Sequence, residues 1–319
     1  MDDLPIHLAA RALRDAQRIL VASHVRPDGD AVGSLLGLGL ALLEGGKQVQ
    51  MVLADGVPSQ FHHLPGSEKV VHRPDGSFDL VCVIDCSDPN RIGATLPGNI
   101  YPDLNIDHHV TNMNFGKINL VDTDAVASAE ILVELIPLSG LTINNRVAST
   151  LLTGIITDTI GFQTNNMTPK ALRLSAELIE AGANLSELYR KALANRSFEA
   201  IRLWGAGLWK VEREGRMIWT SLTMEDRKKV NYPGRDDADL INILSSVNGT
   251  DIYMIFVEQP KGKVKVSWRS QLGFDVTNIA ASFGGGGHPS ASGAEIVGGL
   301  EEVQTAVLMA TREYLHGCK

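Results

Sequence analysis

The first half of the chain alternates uninterrupted apolar runs with helical stretches, and that alternation limits the fold more than any other feature. RILVAS (18–23), KQVQMVLA (47–54) and FDLVCVIDCS (78–87) read as strands. AVGSLLGLGLALLE (31–44), closed by Gly45 and Gly46, reads as the helix between the first two. Continuous apolar strands suit a sheet buried on both faces, and strand–helix–strand succession makes it parallel. YPDLNIDHHVTN (101–112) adds a short strand that breaks at Asp107. SAEILVELIPLSG follows as a helix, and RVASTLLTGIITDTIGF (146–162) as a buried helix or strand reaching Asp158. In TPKALRLSAELIEAG, Thr168 is an N-cap, Pro169 suits the first helical position and Gly182 stops the helix.

Beyond residue 203 the character changes. Residues 208–222 read as a hairpin turning at Glu214 and Gly215, and 251–270 as one turning at 260–262, with helices expected at 236–247, 275–283 and 300–316. The expected fold is therefore α/β. A mainly parallel sheet with helices on both faces occupies 1–185, a helical linker spans 186–205, and a smaller mixed-sheet α/β domain fills 206–319.

Composition narrows the function. A chain of 319 residues exceeds what one core usually serves. A formal charge of −8 opposes a protein that coats duplex nucleic acid, which needs a broad basic face, but leaves short anionic substrates open. Cys82, Cys86 and Cys318 form neither an even disulfide framework nor a zinc-ribbon spacing, and read as thiols in a reducing compartment, with Cys82 and Cys86 on one strand face with Ile84 as packing groups. The start is mixed-charge and helical, and the run 31–43 is too short to span a bilayer. A cytoplasmic enzyme or binding protein is expected, with no membrane partner.

Loops at the carboxyl ends of parallel strands share one crevice. Four such loops here carry metal-type ligands: His24, Asp28 and Asp30; then Asp85; then Asp107, His108 and His109; then Asp158. Any single aspartate after a strand most often caps or turns, and His62 and His63 have no converging partners. Several buried carboxylates at one place, however, are costly without cations. Mixed imidazole and carboxylate donors without thiolate favour manganese, magnesium, iron or cobalt. So many ligands are too many for one ion that keeps open positions and suit two ions about 3.5–4 Å apart sharing one carboxylate, which makes phosphoryl chemistry the first expectation.

HVRPDGDAVGS, VIDCS, DHH, GIITDTIGF and GGGGHPSASGA together resemble the motif series of the DHH phosphoesterase superfamily with its DHH-associated C-terminal domain, in the NrnA-like group related to the RecJ exonuclease. That resemblance covers nearly the whole chain. It implies two divalent cations, manganese foremost, with His24 and Asp28 on one, Asp30, His108 and Asp158 on the other, and Asp85 bridging. It further implies that His109 faces the scissile phosphate and that Asp107 orients an imidazole.

The glycine stretch SFGGGGHPSASGAEIV (282–297) follows a helix rather than opening one and lacks Gly-Lys-Ser/Thr, so it reads as a loop of bare backbone amides rather than a nucleotide-triphosphate loop. In KVKVSWRS, alternation puts Val264, Val266 and Trp268 in the core and Arg269 on the other side, where a guanidinium can meet a phosphate in a fork. The resemblance assigns substrate binding to this strand and motif, hence to Arg269, Gly284, Gly285, Gly286, Gly287 and His288. Its expected substrates are short single-stranded RNA, linear dinucleotides and adenosine 3′,5′-bisphosphate, with the second domain holding the far end of the substrate. Cyclic-dinucleotide cleavage and polyphosphate hydrolysis are the rivals within the enzyme class, a non-hydrolytic nucleotide sensor is the rival outside it, and a homodimer is allowed for.

Overall fold

The computed structural model describes residues 4–96 and 101–317, which fall into two compact units, residues 1–195 and 196–319. Cys318 lies outside the described residues. The first unit runs α1 (Leu4–Asp15), β1 (Arg18–Ala22), α2 (Gly29–Glu44), β2 (Gln48–Val52), β3 (Leu80–Ile84), β4 (Leu104–Asp107), β5 (Ile118–Val121), α3 (Ser128–Leu138), α4 (Asn145–Asp158), α5 (Pro169–Glu180) and α6 (Leu185–Tyr189). Its five strands are all parallel, in the order β2-β1-β3-β4-β5. The apolar stretch reaching Asp158, which the sequence left between helix and strand, is the helix α4.

The covering of this sheet is asymmetric. Helices α1, α2 and α3 pack on the face made by Ile19, Val21, Cys82, Ile84, Leu104 and Ile106, and α4 and α5 pack outside them in the same core. The opposite face, with Leu20, Ala22, Val81 and Val83, meets Ile92 of a 3₁₀ segment (Pro89–Thr95) and Leu96 just after it, together with the half-buried Phe78 and Phe115. Cys86 joins this second face, whereas alternation from Ile84 and Cys82 had put it on the first; strand β3 ends at Ile84 and the chain turns at Asp85, so the alternation ends there. Burial pushes the Cys86 thiol up to about 12, which makes it a packing group.

One helix pair positions the residues of interest. Gly29, Gly33 and Gly37 repeat every four residues along one side of α2, and α4 lies directly against them. A Cβ on Gly33 would stand 2.5 Å from the Thr150 carbonyl and 2.7 Å from the Gly154 nitrogen, and one on Gly37 would stand 2.5 Å from Leu151. Only glycine admits this approach. It sets the beginning of α2, with Asp28 and Asp30, beside the end of α4, with Asp158. Asp28 caps α2 by accepting from the Ala31 N–H at 3.1 Å.

The second unit runs α7 (Phe198–Leu208), β6 (Glu212–Glu214), β7 (Met217–Leu222), α8 (Met224–Val230), α9 (Leu240–Leu244), β8 (Ile252–Gln259), β9 (Lys263–Ser270), α10 (Thr277–Ser282), β10 (Gly286–His288), β11 (Ala291–Val297) and α11 (Leu300–Gly317). Its sheet, ordered β10-β11-β9-β8-β7-β6, is mixed: β7 and β8 are parallel and the other neighbours antiparallel. Helices α10 and α11 cover one face around Trp268, Met254 and Phe256, and α7 and α9 the other around Tyr253 and Ile255. Both hairpins expected from the sequence are present, whereas α8 and β5 carried too weak a pattern to be read. Among the described residues no helix is long and apolar enough to cross a membrane.

Adding a side chain to the α2–α4 contact overpacks it. Gly33→Leu is expected to lower the urea-unfolding free energy by about 1–3 kcal/mol and to weaken divalent-cation binding at the same time. Gly205→Ala on α7, where a Cβ meets nothing, is expected to leave stability unchanged or raise it by up to about 1 kcal/mol.

Candidate metal centre

Three adjacent strands deliver the centre. His24 follows β1 by two residues, Asp85 follows β3 directly, and Asp107, His108 and His109 close β4. Because β3 lies between β1 and β4, Asp85 is flanked by the other two groups. Asp158 comes from the end of helix α4, so the expectation of four strand ends is corrected to three strands and one helix.

The side chains converge. Asp85 Oδ2 lies 3.6 Å from His24 Nε2, while its Oδ1 lies 3.7 Å from His108 Nε2 and 3.8 Å from His109 Nδ1. Asp28 Oδ2 is 3.9 Å from His24 Nε2. Asp158 Oδ2 and Asp30 Oδ2 stand 3.6 and 4.0 Å from His108 Nε2. Two sets of potential ligands result, His24–Asp28–Asp85 and Asp85–His108–His109, and Asp85 belongs to both.

This donor set fits divalent cations. The spacings exceed hydrogen-bond length, yet two atoms each about 2.1 Å from a common cation can be up to about 4.2 Å apart. Two of these imidazoles have their other nitrogen engaged: His24 Nδ1 lies 2.9 Å from the Val25 carbonyl and His108 Nδ1 3.4 Å from that of Ala125. That arrangement fixes the ring and leaves Nε2 for the centre. Arg91, which sequence reasoning passed over, packs its guanidinium 3.2 Å from His24 Nδ1.

Electrostatics point the same way. Burial and the charges of Asp85 and Asp28 push Asp158 up to about 8. Burial, with Asp85 and Asp158, carries Asp30 well above the usual carboxylate range. Burial would raise Asp85 too, but the imidazoles of His24, His108 and His109 hold it down to about 2. Carboxylates crowded this closely repel unless protons or cations sit among them.

Protein donors hold the buried acids in place. Asp30 accepts from the Ser128 N–H (2.6 Å), the Ala129 N–H (3.0 Å) and Ser34 Oγ (2.9 Å), which seats its carboxylate on the N-terminus of α3. Ser128 Oγ also donates to Asp85 Oδ1 at 3.0 Å. Asp107 accepts from His109 Nδ1 at 2.7 Å. Although burial alone would lower His109, that bond and the charge of Asp85 raise it to about 9. Ser128, Asn105 and Asn112, which complete this scaffold, carry no chemical motif by which the sequence could have singled them out. His62 and His63 sit at a 3₁₀ turn (Ser59–Phe61), their rings against the backbone carbonyls of Val57 and Gln60.

The second unit places the other candidates on one hairpin edge. Gly286 to His288 form strand β10, paired to β11 with His288 opposite Ala291, and Ala291 is in turn opposite Arg269 on β9. Directly opposed residues share a face, so Arg269 and His288 flank Ala291 on one side of the sheet. The glycine stretch is thus part strand: only Gly284 (φ 75°) and Gly285 remain as the loop expected after α10. A Cβ on Gly287 would stand 2.5 Å from the Ala291 carbonyl. Trp268 is fully buried in the core behind this face.

The two units and their motif residues define a DHH-type chain with a C-terminal DHHA1 domain: the model of the DHH family N-terminal domain matches residues 18–155 and that of the DHHA1 domain residues 228–316. The chain belongs to the DHH family. It is 36% identical to the bifunctional oligoribonuclease and PAP phosphatase NrnA of Thermus thermophilus, over 97% of this chain and 94% of that protein. An exopolyphosphatase-related protein from Bacteroides fragilis superposes with a TM-score of 0.91 at 27% identity, covering 99% of this chain and 98% of the other. RecJ of Thermus thermophilus in complex with manganese shares the fold, with a TM-score of 0.57 at 17% identity over 97% of this chain and 54% of its own.

A cation held by Asp158 would have to displace the proton that this raised carboxyl keeps at neutral pH. Manganese affinity of the metal-free protein is therefore expected to rise between about pH 6 and about pH 8, with proton release on binding. Titration calorimetry in two buffers of different ionisation enthalpy measures both; affinity that falls with rising pH would contradict the ligand assignment.

Proposed function

We propose that the chain is a manganese-dependent, two-metal phosphoesterase that hydrolyses short nucleotide substrates: short oligoribonucleotides, linear dinucleotides and adenosine 3′,5′-bisphosphate. The observation that carries this reading is Asp85, whose two carboxylate oxygens face two different ligand groups. In this reading His24 and Asp28 hold one ion, Asp30, His108 and Asp158 the other, and Asp85 both. Two divalent cations so held would supply an acidified water as nucleophile and neutralise charge on the phosphoryl oxygens.

The side chains supply the rest. His109, tied to Asp107 through Nδ1, turns its other ring nitrogen to the phosphoryl group, where it offsets growing negative charge or protonates the departing oxygen. Asp107 holds the ring and its tautomer. In the second unit Arg269, His288 and the glycine hairpin form the surface for a nucleotide or terminal phosphate, with bare glycine amides as donors. Relatives that match this chain over nearly their whole length are named for oligoribonucleotide and PAP hydrolysis, which supports the substrate class. The unpaired, buried Cys82 and Cys86 suit the reducing cytoplasm in which such substrates arise.

A manganese-dependent assay over short RNA, a linear dinucleotide, adenosine bisphosphate, a cyclic dinucleotide and polyphosphate tests the reading. Turnover is expected on the first three, and Asp85→Ala is expected to lower kcat at least about a thousand-fold, several kcal/mol of barrier. Binding without turnover would make the chain a sensor, and preferred cleavage of polyphosphate or the cyclic compound would reassign the substrate. Arg269→Ala is expected to raise KM about tenfold or more, as loss of a charged hydrogen bond does, while manganese binding stays unchanged.

A further inference from the structure

Behind His109 lies a chain of side chains that neither the ligand set nor the substrate surface uses. Asn105 is fully buried on β4, its Nδ2 donating to the Cys86 carbonyl at 3.2 Å. Asn112, three residues after His109, donates from Nδ2 to Asn105 Oδ1 at 2.9 Å and to Asp107 Oδ2 at 2.5 Å. The Cys86 carbonyl lies 3.3 Å from the same Nδ2, so the two N–H groups of the amide are shared among three acceptors and none is left over. Asn112 Oδ1 in turn accepts from the Asn114 N–H at 2.7 Å. Turning the amide over would set its oxygen against the Asp107 carboxylate, so the orientation is unique.

Asp107 is thereby gripped from both sides. Oδ2 takes the Asn112 amide, while Oδ1 takes the His108 N–H at 2.9 Å and His109 Nδ1 at 2.7 Å. Oδ1 already accepts the His108 N–H, and with Oδ2 taken by the Asn112 amide the carboxylate serves as acceptor, so His109 Nδ1 is the donor. The same Nδ1 lies 3.8 Å from Asp85 Oδ1, in a group whose atoms could all serve one cation. His109 therefore has two possible employments: bonded to Asp107 through Nδ1, or turned onto a cation beside Asp85.

We propose that Asn112, itself fixed by Asn105, is a positioning residue that decides between them: it locks Asp107 so that His109 Nδ1 stays hydrogen-bonded and Nε2 is presented to the scissile phosphate. Asn112 touches neither cation nor substrate in this role. The loop carrying it is pinned independently, with the Asn112 N–H on the His109 carbonyl (3.1 Å) and the Met113 N–H on the Ser87 carbonyl (2.9 Å), so the side chain can be altered without releasing the loop.

The inference deepens the phosphoesterase reading, and its test separates the two. Steady-state kinetics on short RNA and bound-manganese content are measured for wild type, Asn112→Ala, His109→Ala and the double variant. Expected for Asn112→Ala is a kcat about 10- to 100-fold lower, the range seen when a partner orienting a metal-site group is lost, with KM and metal content within about twofold. No further loss is expected once His109 is already alanine. Asn112→Asp, which keeps the size and the acceptor for Asn114 but sets a carboxylate against Asp107, should lose at least as much and guards against misfolding of the alanine variant.

A second readout needs no turnover. In the proton spectrum of the magnesium-loaded full chain, the low-field Nδ1–H resonance, identified by its absence in His109→Ala, should shift or vanish in both Asn112 variants. An unmoved resonance, loss of metal, or equal kcat losses with and without His109 would overturn the positioning role. A wild type that fails to turn over any substrate while its resonance responds to Asn112 would overturn the phosphoesterase reading and leave the lock standing.

Discussion

The structure turns on Asp85. Its backbone sits in the left-handed region at φ 54°, which costs a non-glycine residue about 1–3 kcal/mol and persists only where surroundings over-determine it. Here they do. The Asp85 N–H donates to the Ile106 carbonyl at 2.8 Å, Ser128 Oγ holds Oδ1, and the strand before it is buried along its whole length. The turn ends strand β3 abruptly and leaves the carboxylate standing between its neighbours at the carboxyl edge of the sheet. With the order β2-β1-β3-β4-β5, the chain leaves β1 toward β2 on one side and β3 lies on the other, so the strand order switches between β1 and β3. A crevice opens beyond the strands at such a point. A residue at the end of β3 is reached by His24 from β1 and by His108 from β4, and a single carboxylate can serve both groups.

How far this was legible depended on the kind of interaction. Strands buried on both faces announce themselves as continuous apolar runs, so β1 and β3, with His24 and Asp85 after them, could be read directly, while the shorter β4 declared itself by the break at Asp107. Asp158 could be named but not placed, because a fully buried helix and a buried strand share the same composition; the glycine spacing in α2 was the sign that a second helix lay against it. Cys86 went to the wrong face because period-two alternation was carried through a turn that nothing in the local sequence declares. The glycine stretch was taken for a loop because glycine does not favour strands, yet in an edge hairpin its lack of a side chain is the reason the strands can close. Asn105, Asn112 and Ser128 were invisible for another reason: an amide or hydroxyl acquires meaning only from a partner, and for Ser128 the partner Asp30 lies 98 positions away.

Geometry also divides the centre into a prepared half and an open half. Asp30, Asp85 and Asp107 are buried and each is held by protein donors: the N-terminus of α3, the Ser128 hydroxyl, the Asn112 amide. Asp28 and Asp158 lie toward the surface, with 61% and 33% of their side chains exposed. A carboxylate held by hydrogen bonds keeps its position whether or not a cation is near, since those donors offset part of its desolvation. One facing water can adjust. The buried acids thus form a preset inner wall, and the two more exposed ones form the outer side of the cluster. The division explains why the α2–α4 contact is built from glycine. The outer acids stand on the two helix ends that this contact brings together, so their separation is set by how closely α2 and α4 can approach, and any side chain larger than hydrogen at Gly29 or Gly33 would spread them.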